Sequence, residues 1–80
     1  MSQQEKRKKF GMFYVVVGYC DNGEFRHATC LNKYYWKQLV NRWEDYHVNW
    51  NAPLVMSIDI IQYRVTLKGT RRVSTTHIIV

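Results

Sequence analysis

Eighty residues carry twelve Lys and Arg against six Asp and Glu, a formal net charge of +6, and 15% of the side chains are aromatic. A chain of this length makes one domain and buries roughly 60–65% of its unfolded surface, which leaves no room for both a core and a deep substrate cleft. The charge is segregated: residues 1–9 sum to +3, residues 10–59 to −1 and residues 60–80 to +4, the last stretch having no acid. Two basic ends around a balanced middle suit an anionic partner, or serve as solubilising ends.

Residues 1–9 are polar, basic and aperiodic, and are predicted to form a flexible arm ahead of a single domain over residues 10–80. The apolar run at residues 10–20 follows this basic stretch but alternates as a strand does. It contains Tyr14 and Tyr19 and has no small-residue cleavage site, so no signal peptide is expected. At eleven residues it is also too short to span a membrane as a helix. A cytoplasmic protein with no membrane partner is predicted.

A second strand is expected over residues 24–31. Asn22-Gly23 between the two runs predicts a two-residue type I′ hairpin, because that turn needs φ > 0 at both central positions. The resulting register pairs Asp21 with Glu24, Cys20 with Phe25, Gly18 with His27, Val16 with Thr29 and Val15 with Cys30. Phe13, Val15, Val17, Ala28 and Cys30 then form the floor for a helix. Tyr14, Val16, Gly18, Phe25, His27, Thr29 and Leu31 take the opposite face. In this register Cys20 and Cys30 lie about 17 Å apart on opposite faces. A disulfide needs Cα atoms within about 7 Å, so two free thiols and a reducing compartment are expected.

Asn32 is a good N-cap for a helix running to His47, with Trp36, Leu39, Val40, Trp43 and His47 as one apolar stripe. Tyr34 falls toward its wet side. Trp50, in the following connection, is predicted to cap one end of the core. The strand-like stretch at residues 54–67 changes phase, with Met56, Ile58 and Ile60 followed by Ile61, Tyr63, Val65 and Leu67. This predicts a bulge or bend near Ile60 and Ile61. A turn at Lys68-Gly69-Thr70-Arg71 and a last strand over residues 72–80 complete the pattern. The predicted fold is α+β: a small antiparallel sheet, ββαββ with two hairpins, and one amphipathic helix packed on one face.

His27, His47, His77, Cys20 and Cys30 are the candidate metal ligands, but none has metal-site spacing. Cys30 and His47 are the one nucleophile–base pair that can be drawn, and Cys30 is expected on the core face as an inert thiol. There is no glycine-rich phosphate loop. No enzyme, cofactor or metal is predicted.

Two binding functions are left. In the first, the face of the sheet away from the helix docks a protein or nucleoprotein complex, or a second copy in a homodimer, through Tyr14, Phe25 and His27, with Tyr34 as a further contact. In the second, the protein binds nucleic acid directly. Lys6, Arg7, Lys8 and Lys9 of the arm, and Arg64, Lys68, Arg71 and Arg72 of the C-terminal hairpin, would contact phosphates or an acidic surface, and Tyr14, Phe25 and His27 on the open sheet face would stack with bases. No motif matches a family residue by residue. In size, in one helix on a small sheet and in lacking catalytic residues, the chain resembles the small single-domain proteins that phages and mobile elements direct against host machinery, including anti-CRISPR proteins. Many of those are acidic mimics of nucleic acid, and this chain is basic. That likeness implies a non-enzymatic module that binds and blocks another macromolecule by occupying an acidic protein surface or contacting nucleic acid.

Overall fold

Asn22 and Gly23 do make a hairpin, but not the two-residue one. In the computed structural model, which describes residues 11–80, Gly23 has φ of 90° and Asn22 is not among the positive-φ residues. The Gly23 N–H donates to Cys20 O at 3.2 Å, and the Cys20 N–H donates to Glu24 O at 2.8 Å. The Asn22 Oδ1 accepts from the Glu24 N–H at 3.0 Å. This is a type I turn followed by a left-handed glycine, the usual three-residue hairpin loop. It joins β1 (Met12–Cys20) to β2 (Phe25–Cys30) with Tyr19 opposite Phe25 and Val16 opposite Ala28. The predicted register is therefore wrong by one residue, and a one-residue slip turns a strand's side chains to the other face.

The helix lies on the face of β1 that carries Val16, Gly18 and Cys20, not on the face of Val15 and Val17. Val16 and Ile58 are wholly buried, and they form the core with Cys20, Leu39, Trp43 and Val55. Ala28 and Cys30 pack against this cluster as expected. Both cysteines are free, as predicted, although they share one face. Cys30 pairs with Tyr14, six residues along β1 from Cys20, so the separation is about 20 Å.

Asn32 is the predicted cap, with its Oδ1 accepting from the Tyr34 N–H at 2.8 Å. It starts a 3-10 turn (Lys33–Tyr35) that runs into α1 (Trp36–Trp50). The helix continues three residues past His47, and Asn51, at φ 58°, ends it in the left-handed conformation typical of helix C-termini. Leu39 and Trp43 are its buried residues. Trp50 is 79% exposed and does not cap the core.

The remaining strands, β3 (Val55–Thr66) and β4 (Gly69–Ile79), complete an antiparallel sheet of order β2-β1-β3-β4. The α+β fold of two hairpins and one helix is as predicted. The β3 phase change is not a bulge at Ile60 and Ile61. The strand runs straight through them, with Ile58 and Ile60 toward the helix and Ile61, Tyr63 and Val65 toward the other face. The register shifts instead at Tyr19/Cys20 and at Gln62/Tyr63. The second turn comes earlier than expected, since Thr66 already pairs with Gly69 and only Leu67 and Lys68 form the loop.

Trp43 can seat on the sheet because Gly18 has no side chain. A Cβ at Gly18 would stand 2.9 Å from Trp43 Cζ3 and 3.1 Å from Val55 Cγ1. Gly18→Ala should therefore lower stability by about 1–3 kcal/mol, the usual cost of overpacking a core. Urea unfolding checks this; a variant as stable as the parent would mean that Trp43 does not need the hollow.

Candidate functional site

Three surfaces present chemistry, and pairing within the sheet positions all of them. The first is a basic pole. On β3 and β4, Arg64 lies directly opposite Arg71, with Lys68 in the turn beyond them. Like charges opposite each other across a strand pair repel. Among the described residues the one ion pair is that of His77 with Asp59, so no described carboxylate neutralises these cations. Arg72, opposite Tyr63, projects to the other face. Met12 pairs with Arg64, and the Val65 N–H donates to Gly11 O at 3.0 Å. The chain thus enters β1 beside the basic end of the second hairpin. Lys6, Arg7, Lys8 and Lys9, in the predicted arm, lie outside the described residues. They immediately precede this entry point in sequence.

The second surface is a cleft of about 380 Å³ on the helix side of the sheet, between the 3-10 turn and β3–β4. Tyr14, Tyr34 and Trp36 line it, over a floor that includes Gln62, Ser74 and Thr76. The Ser74 hydroxyl donates to Gln62 Oε1 at 3.0 Å, and Gln62 Nε2 donates to Met12 Sδ at 2.9 Å, which together hold the amide in place. Lys33 and Lys37 extend over the rings of Tyr34 and Trp36, at 5.1 and 5.7 Å from the ring centres.

The third is the sheet face opposite the helix. Phe13 and Tyr63 stack there across β1 and β3, with ring centres 5.2 Å apart. Val15, Val17 and Ile61 form its apolar middle. Asp59 sits among them, accepting from the Tyr19 hydroxyl at 2.8 Å and lying 2.6 Å from His77 Nδ1. The hydrogen bond to His77 first, and that to Tyr19 second, hold the Asp59 carboxyl below the usual carboxylate range, against a smaller opposing effect of burial. The same contact with Asp59 pushes the Tyr19 phenol up.

The predicted docking set of Tyr14, Phe25, His27 and Tyr34 does not share a surface. The corrected register moves Tyr14 to the helix side, where it meets Tyr34 in the cleft. Phe25, 67% exposed, and His27 stay on the open face, while Val16, once expected beside them, is buried. Two constellations escaped sequence reasoning. Asp59 and His77 are directly opposite in β3 and β4, a pairing legible only once the second turn is placed at Leu67-Lys68. Trp36 reads as a core residue from its helical stripe and also forms part of the cleft wall. Cys30 packs against the core, and burial pushes its thiol up, opposed by its contact with Asn32 O.

Among the described residues no three His, Cys, Asp or Glu side chains gather as a metal site, and no helix is long and apolar enough to cross a membrane. Comparison with protein-family models, curated proteins and solved structures finds no match.

Asp59 gives the fold an acid limb. Its folded-state pKa is depressed, so its contribution to stability is present above the ordinary aspartate value and is lost as pH falls through the lower folded value. Urea unfolding across the acid range should show this loss in the parent and a flatter profile in Asp59→Asn. Identical profiles would mean that the Asp59 contacts do not persist in solution.

Proposed function

We propose that the protein is a non-enzymatic nucleic-acid-binding module whose contact surface is the basic pole. The observation that carries this reading is the pairing of Met12 with Arg64 beside the Gly11–Val65 hydrogen bond. It joins the start of the domain, to which the basic N-terminal segment is attached, to the basic end of the second hairpin. Asp21 and Glu24 lie at the other end of β1, about 27–30 Å away. The paired arginines and these two carboxylates thus stand at opposite ends of the sheet, in a molecule whose longest extent is 47 Å. Cations concentrated at one end gain affinity by releasing counterions from a phosphate backbone, and they steer association. The opposed Arg64 and Arg71 favour the same reading, because a phosphate between them relieves their repulsion.

The first of the two sequence expectations, docking and blocking a protein, finds support in a different observation. The sheet face opposite the helix carries Phe25 and the Phe13–Tyr63 stack with no element of the described chain over it. Phe25→Ala tests that reading against a protein partner. Charge reversal at the pole tests the nucleic-acid reading.

Fluorescence anisotropy with labelled single- and double-stranded DNA and RNA should show binding that falls steeply with salt but persists at physiological ionic strength, about 0.15 M. The double variant Arg64→Glu, Arg71→Glu should weaken binding to all sequences alike and flatten the salt slope by roughly 0.7–0.9 for each phosphate no longer neutralised. Binding absent at physiological ionic strength in the parent protein would refute the reading.

A further inference from the structure

We infer that the cleft on the helix side of the sheet takes one unstacked nucleobase of a single strand, with the adjoining phosphate on Arg64 and Arg71. This rests on the nucleic-acid reading and specifies the form of nucleic acid bound. The cleft volume of about 380 Å³ lies within the roughly 300–1,000 Å³ range of small-ligand sites. Tyr14, Tyr34 and Trp36 bring three aromatic rings to the cleft, with Lys33 and Lys37 over one side of the latter two, and stacking on aromatic side chains is how single strands are held without regard to sequence. Tyr34 is 61% exposed, an open ring at the protein surface.

The floor narrows the ligand class. Gln62, Ser74 and Thr76 bring an amide and two hydroxyls to the cleft, with Gln62 held by its bonds to Ser74 and Met12. A hydrocarbon ring would strip water from these groups and return no hydrogen bonds. A base edge carries donors and acceptors that replace the water. Arg64 and Arg71 then supply the anion site. They follow the Gln62–Ser74 pair on the same face of the same hairpin, about 7 Å nearer the turn. A neutral aromatic ligand would leave that charge unused; a nucleotide engages both halves. Bases in a duplex are stacked and paired, and extracting one is least costly from a single strand. The cleft therefore favours single strands, while the pole alone accepts any phosphate backbone.

The test uses the full chain and labelled single strands of about 12 nucleotides, RNA and DNA, beside the matching duplexes, at about 0.15 M salt. Tyr34→Ala removes a stacking face and Ser74→Trp fills the cleft; both positions are exposed. Single strands should bind at least about ten-fold more tightly than duplex, and Tyr34→Ala should cost roughly 5- to 150-fold, the usual range for one base–aromatic stack. Ser74→Trp should weaken binding by a similar factor, Tyr34→Phe should stay close to the parent, and duplex binding should not change. Single-strand affinities of Tyr34→Ala and Ser74→Trp equal to the parent, with the Arg64→Glu, Arg71→Glu variant defective, would overturn the cleft and leave the pole as the nucleic-acid site. Should no strand bind, the nucleic-acid reading fails, and titration with adenosine and uridine monophosphates decides the cleft separately. NMR shifts confined to the Trp36 indole and Ser74 amide would support a nucleotide site there. The absence of such shifts would overturn it.

Discussion

Trp43 seated on Gly18 is the contact on which the arrangement depends. The indole ring is the largest buried group on the helix, and the sheet accepts it only where β1 lacks a Cβ. Val16 and Cys20 on β1, with Val55 and Ile58 on β3, close around that hollow. The choice settles which face of β1 is core and, by strand alternation, which face is left without a cover. Phe13, Val15, Val17 and Tyr19 face away from the helix for this reason, although they are the bulkier apolar set. Large side chains opposite a large ring would hold the helix off the sheet, whereas small ones let it approach to packing distance.

The three-residue loop at Asp21-Asn22-Gly23 cooperates with this choice. Its register sets Ala28 beside Val16 and turns Ala28 and Cys30 toward the helix, where both pack against the core. The two-residue alternative would have set Thr29 beside Val16 and His27 beside Gly18, turning Ala28 and Cys30 away from the helix. Gly23 supplies the left-handed residue that the longer loop requires, and Asn22 fastens the loop through its side chain to the Glu24 N–H.

Pairing of the first strand with the third gives the molecule its polarity. β1 runs antiparallel to β3 from Met12 opposite Arg64 to Cys20 opposite Val55. The start of the domain and the tip of the second hairpin are consequently neighbours, although more than fifty residues separate Gly11 from Val65. The same hairpin extends beyond the helix, and the space it leaves beside the 3-10 turn is the cleft. Pole and cleft are therefore adjacent products of one strand pairing.

The amino-acid sequence by itself determined the elements: two hairpins, one capped helix with a Leu39–Trp43 stripe, unpaired cysteines, and basic ends around a balanced middle. These follow from local physics, namely alternation, helical spacing, capping by Asn32 and the turn preference of Asn-Gly. It did not determine which face of β1 was buried, because Phe13–Val15–Val17 and Val16–Gly18–Cys20 are both apolar enough, and one residue of hairpin register decides between them. Nor did it place the β3 isoleucines correctly. Apolar residues on both faces of a central strand imitate a phase slip when read along a line. The union of Tyr14 with Tyr34, of Asp59 with His77 and of the domain start with Arg64 arose only in the tertiary structure. Each joins residues distant in the chain through strand pairing, and pairing partners are selected by the volume the core must fill, which no local pattern records.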